Sequence, residues 1–139
     1  MILNKKGILQ TYDLVVYPIG ITVVIGDMKD EVEKFFKPYE IGFDGFAPPT
    51  DETPAATFQV LEKEDNNYNV MIWLKNLDYC KGPHICHESG HATLEIFKYI
   101  GAEVELENQE PFTYLLGTIF RFINGAAGEL KEYYNELKQ

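Results

Sequence analysis

The chain holds three histidines, and all of them fall between positions 84 and 91. Two belong to the run His87-Glu88-Ser89-Gly90-His91, an H-E-x-x-H pattern. On a helix, residues four apart lie one turn apart on one face, so two imidazoles can meet one zinc ion. The glutamate between them lies close to that face and can hold a metal-bound water. Stepping at about 100° per residue gathers His84, His87, Glu88, His91, Glu95 and Lys98 on one side of such a helix. Ile85, Cys86, Ala92, Ile96, Phe97, Tyr99 and Ile100 take the opposite side. The helix is therefore expected to pack its apolar side, Cys86 included, and to present a His/Glu stripe. A solvated face is usually lysine and glutamate; here all the histidine of the chain is concentrated on it.

Two histidines do not complete a zinc site, which takes a third protein ligand. His84 lies seven residues from His91, and Glu95 lies eight from His87. That is roughly 10–12 Å along the axis, too far for one shared ion. The third ligand must come from another element. Glu103, Glu105, Glu107 and Glu110 are the candidates. The first three stand in a charged connector, where solvation is the default. Glu110 opens an otherwise apolar helix, where it either favours the positive end of the helix dipole, reaches the metal, or does both. Tyr114, one turn on, is a candidate to orient that carboxylate or to stabilise an oxyanion, against the plainer role of packing. Arg121 shares the face of Glu110 and Tyr114.

The elements that must position these residues follow from pattern and breakers. Leu14–Tyr17 and Ile21–Ile25 read as short strands, each rich in β-branched residues and bounded by Pro or Gly. Asp27 reads as an N-cap for a helix over Met28–Phe36, with Met28, Val32, Phe35 and Phe36 on one face. Pro38 ends it. Tyr39–Thr57, with its glycines and prolines, reads as a long surface loop. Phe58–Glu62 and Val70–Lys75 read as a hairpin across Asp65-Asn66-Asn67. The apolar run Met71-Ile72-Trp73-Leu74 predicts a strand covered on both faces, with Trp73 in the core. The motif helix should open at Gly82-Pro83 and stop at Gly101, with Gly90 inside it explained by a close neighbour. A long helix over Glu110–Ile123 should break at Asn124-Gly125 before a short helix, Glu129–Leu137. The fold class is α+β, in a single domain spanning 1–139.

Here a resemblance appears. H-E-x-x-H on one helix, followed by Glu on the next, resembles the gluzincin group of zinc metallopeptidases. Within it, Asn108-Gln109-Glu110-Pro111-Phe112-Thr113-Tyr114-Leu115-Leu116-Gly117 is similar to the second motif of small uncharacterised proteins of phages and bacterial mobile elements. The resemblance implies a zincin-like fold with zinc as cofactor. It implies His87, His91 and Glu110 as ligands and Glu88 as general base. A peptide or protein substrate is implied too, paired by strand addition to an edge strand, Val70–Lys75. The alternative it leaves is a non-catalytic zinc-binding structural or interaction protein of a phage or mobile element. A metal-free interaction domain is a third reading.

Composition bounds the partners. The chain has 139 residues, ordinary globular content with 45% hydrophobic residues, and a net charge of −10. It offers no basic stripe for a phosphate backbone, so no nucleic acid is expected. No apolar stretch approaches a membrane span, and the N-terminal residues lack a signal-peptide pattern. Two cysteines, Cys80 and Cys86, make no disulfide framework, which fits a reducing cytoplasm. Cys86 reads as core.

Overall fold

The computed structural model describes residues 1–37, 39–41, 47–62 and 67–139, with backbone alone at 39–41 and 62. Its strands are β1 (Ile2–Asn4), β2 (Gly7–Asp13), β3 (Ile19–Gly26), β4 (Tyr39–Ile41), β5 (Ala55–Glu62) and β6 (Tyr68–Leu74). Its helices are α1 (Lys29–Phe35), α2 (Gly82–Ile100) and α3 (Glu110–Leu137), with a 3-10 turn at Leu77–Tyr79. The strands form one sheet in the order β1-β2-β3-β6-β5-β4. All neighbours are antiparallel except β3 and β6, which pair in parallel from Ile19↔Tyr68 to Ile25↔Leu74.

The apolar runs in β3 and β6 follow from burial on both faces, as central strands require. One face carries Ile21, Val23, Ile25, Val70, Ile72 and Leu74 against α2 and α3. The other carries Val24, Met71 and Trp73 against Met28, Val32 and Phe36. Trp73 is fully buried, and its indole N–H donates to the Gly26 carbonyl at 2.9 Å. Strand β6 is thus no edge: β3 hydrogen-bonds one side of it and β5 the other. The expectation of an edge strand at Val70–Lys75 is corrected, and the reason lay in its own composition. A strand apolar on both faces belongs in the middle of a sheet.

Other boundaries move as well. Residues 14–17 are not a strand but the loop between β2 and β3, with Val15 fully exposed and Val16 70% exposed. Their β-branched character belongs to no pleated surface. The strand before this loop is β2, which pairs with β1 as an N-terminal hairpin. Asp27 is not the cap: Met28 holds that position, with no side-chain cap bond. Phe35 is partly exposed while Met28, Val32 and Phe36 are buried. The presumed loop 39–57 holds strand β4 at its start and the first residues of β5 at its end. Pro38, Gly42, Gly45 and the turn residues Asp65 and Asn66 lie outside the described residues.

Helix α2 stops at Gly101, as expected, with φ +74° and its N–H on the Lys98 and Phe97 carbonyls. A left-handed residue there suits glycine. Helix α3 runs unbroken through Asn124-Gly125 for 28 residues. Ile119, Ile123, Ala126, Ala127 and Leu130 are all buried on one stripe, and that packing outweighs the ~1 kcal/mol a helical glycine costs. Gly90 has no neighbour within 4 Å of the place a Cβ would take, so no close approach explains it. Cys86 is exposed, which corrects its expected core assignment, and Cys80 is buried. Thr93 and Phe97, on the same side of α2 as Cys86, are buried, so Cys86 is exposed by its place near the start of the helix and not by its face. No helix among the described residues is long and apolar enough to cross a membrane.

Candidate metal centre

Both long helices lie on one face of the sheet, α2 over β5 and β6, α3 over β3 and β2. Helix α2 therefore has two flanks. One looks along β5; the other is sealed against α3, where Phe97 meets Phe112 edge to face with centroids 5.7 Å apart.

The histidine pair occupies the β5 flank. His87 and His91 are exposed, their rings 4.6 Å apart and tilted by 79°. Their Nε2 atoms stand 3.1 Å apart. Without a metal, one Nε2 must carry a proton and donate to the other, since two lone pairs at that distance repel. Two nitrogens of a tetrahedral zinc, each about 2.0–2.1 Å from the ion, stand about 3.3–3.4 Å apart. The pair as folded is within a few tenths of an ångström of that span. The i, i+4 spacing on a regular helix is what produces it.

Glu88 lies inside the same flank, 6% exposed. Its Oε2 accepts a hydrogen bond of 2.8 Å from the Thr57 hydroxyl of β5. Two residues along the strand, on the same face, the Gln59 amide donates to the Glu95 carboxylate. Alternate β5 side chains thus hold the two carboxylates of the α2 stripe. Together with Ala55, Ala56 and Thr57, the residues His87, Glu88, His91 and Glu95 line a cavity of about 260 Å³. Thr57 and Gln59 were not read as site residues. They lie one either side of Phe58 in an apolar strand, and only the tertiary register brings them to α2. His84 stands apart, its ring 5.6 Å from that of Tyr79.

Glu110 and Tyr114 go elsewhere. Both line a larger, mainly apolar groove of about 490 Å³ between the loop after β2 and the first half of α3, together with Arg121. Glu110 sits at the start of α3 and Tyr114 is 65% exposed. The structure brings His87, Glu88 and His91 together, and it brings Glu110, Tyr114 and Arg121 together, on separate cavities. Glu103, Glu105 and Glu107 are exposed in the connector. Among the described residues, no group of three or more His, Cys, Asp or Glu side chains is arranged to hold a metal ion.

Comparison with known proteins returns no matching family model, no similar curated protein and no similar solved structure.

Proposed function

We propose that the chain is a zinc-dependent hydrolase of the metallopeptidase type, with His87 and His91 as two of the three protein ligands such a site takes and Glu88 as general base. The observation that supports this reading is the convergence of the two Nε2 atoms to 3.1 Å beside a carboxylate in one cavity. Zinc, when bound, supplies a Lewis acid and a water acidified to a pKa of about 7. Glu88 takes the proton that such chemistry releases. The Thr57 hydroxyl occupies one of its oxygens and fixes its orientation, leaving the other for that proton. Ala55–Thr57 of β5 form the wall along which a peptide or protein substrate would lie. The zincin-like assignment and a cytoplasmic setting belong to the same proposal; the two unpaired cysteines agree with a reducing compartment.

A second reading draws on the position of Glu110. With that carboxylate on the other groove, the histidine pair has two protein nitrogens and open positions. Such a site suits a non-catalytic zinc-binding interaction protein of a phage or mobile element, completed by a partner's side chain. The deciding experiment measures zinc content and casein hydrolysis together. Zinc bound at one per chain, with hydrolysis lost in Glu88→Gln while zinc is retained, supports the hydrolase. Zinc bound without hydrolysis by the wild type supports the second reading. No zinc in the wild type, after loading at pH 7.5, overturns both.

A further inference from the structure

The groove on the α3 side is the larger of the two cavities, and nothing in the proposed chemistry uses it. One wall is the loop after β2, with Val15 and Val16 standing out in solvent; the other is α3, with Tyr114 and Leu115 facing them. Tyr17, Asn108 and Pro111 also line an adjoining cavity of about 380 Å³ beside the α2–α3 connector. Val104 and Leu106 of that connector are exposed as well, at 48% and 84%. Exposed apolar side chains are ordinary when scattered singly; Val15, Val16 and Tyr114, which line one groove together, form the kind of surface that a partner covers.

Charge says which kind of partner. Asp13 and Glu110 line the groove, and Glu103 and Glu105 line the adjoining cavity. Arg121, the only arginine of the chain, is the one cationic side chain lining either cavity among the described residues. An apolar floor with an acidic rim, on a chain of net charge −10, fits apolar side chains flanked by cations. It disfavours a second copy of this chain, which brings the same negative charge to the contact. We propose that this groove is a docking site for a peptide segment of another protein, carrying apolar residues between lysines or arginines. The site is independent of the histidine pair, from which α2 separates it.

The test uses a random 12-residue peptide library displayed on phage, panned against the full chain. The selected peptides should be rich in apolar residues flanked by Lys or Arg. Their affinity, measured by calorimetry, should fall at least tenfold in Val15→Asn/Val16→Asn, which removes apolar surface without adding charge. Both side chains are exposed, so this variant keeps the fold, checked by circular dichroism. A second variant, Glu103→Gln/Glu105→Gln, should weaken binding several-fold at low salt and less at high salt, where rim charges are screened. Selection of acidic or uncharged peptides, equal binding by Val15→Asn/Val16→Asn, or failure to select any peptide overturns the proposal.

Discussion

The two flanks of α2 are built by opposite means. On the β5 flank, polar side chains are held in pairs: Thr57 with Glu88, Gln59 with Glu95, His87 with His91. On the α3 flank the helix is sealed by Ala92, Ile96 and Phe97 against Leu115 and Ile119, and the concave surface appears only beyond α3. The first arrangement fixes atoms to within a hydrogen-bond length, which a metal or a proton transfer requires. The second provides area without directionality, which suits the docking of apolar side chains. One helix can serve both because Glu88 and Phe97 fall at opposite limits of its buried side.

The seam between the flanks gives the largest expected effect. Ile119→Ala should lower stability by about 2–5 kcal/mol, read as a fall in the urea midpoint, because Ile119 is fully buried between the helices and the sheet. A loss within error would mean that α3 does not pack into the core through this side chain.

Metal loading sharpens the contrast next. At pH 7.5, zinc at a hundredfold excess over its dissociation constant should stabilise the fold by about 2.7 kcal/mol, seen as a rise in melting temperature that a chelator reverses. His87→Ala/His91→Ala should abolish the rise. Glu110→Gln should leave it in place, because that carboxylate lines the other groove. If Glu110→Gln removed the rise, the two flanks would be one site in solution. The rise should shrink near pH 5, since an imidazole must be neutral to ligate.

A smaller effect separates the hydrogen bonds within the polar flank. Thr57→Val strips a donor from the buried Glu88 carboxylate and should cost about 1.5 kcal/mol. The exposed Gln59→Ala should cost a few tenths at most. A double-mutant cycle between Thr57→Val and Glu88→Gln should show coupling above about 0.5 kcal/mol; additivity would detach Glu88 from β5.

The cysteines repeat the comparison on the smallest scale. Cys86, exposed on α2, should react with a thiol reagent at once, and Cys80 only on unfolding. Burial pushes the Cys80 thiol from its ordinary 9.0 up to about 11, so the folded chain holds that proton more tightly. Its contribution to stability is complete below pH 9 and is lost as pH rises through about 11. The urea midpoint should therefore fall between pH 8.5 and 11, and fall less in Cys80→Ala. An equal fall in both would assign the alkaline loss to other groups.

The motif helix was the most legible part of the chain. Its limits at Gly82 and Gly101, and the face shared by His87, Glu88 and His91, follow from helical spacing and breaker residues alone. The β5–β6 hairpin was legible too. Leu14–Tyr17 misled because β-branched residues mark strands only when a sheet covers them, and here an apolar loop borders a groove. Asn124-Gly125 misled because local propensity is weaker than the buried stripe on either side of it. The partners of Glu88 and Glu95 were out of reach, since Thr57 and Gln59 meet α2 only after the sheet has chosen its register. The likeness of Glu110 to a metal ligand rested on its order along the chain. Its position in space depends on how far α2 runs past His91 before the chain turns back.

The parallel pairing of β3 with β6 has a consequence for how the molecule forms. During synthesis the hairpin of β2 and β3 can assemble as soon as it emerges, but Ile19–Ile25 must wait for Tyr68–Leu74 to arrive. Through that interval an almost wholly apolar strand presents an unfilled edge, and both helices that will cover it are still to be made. Distant partners of this kind slow folding and prolong exposure to wrong pairings. The chain is most vulnerable to aggregation not when finished but while half-translated, and slowing the ribosome between β3 and β6 should lower the soluble yield more than slowing it after α2.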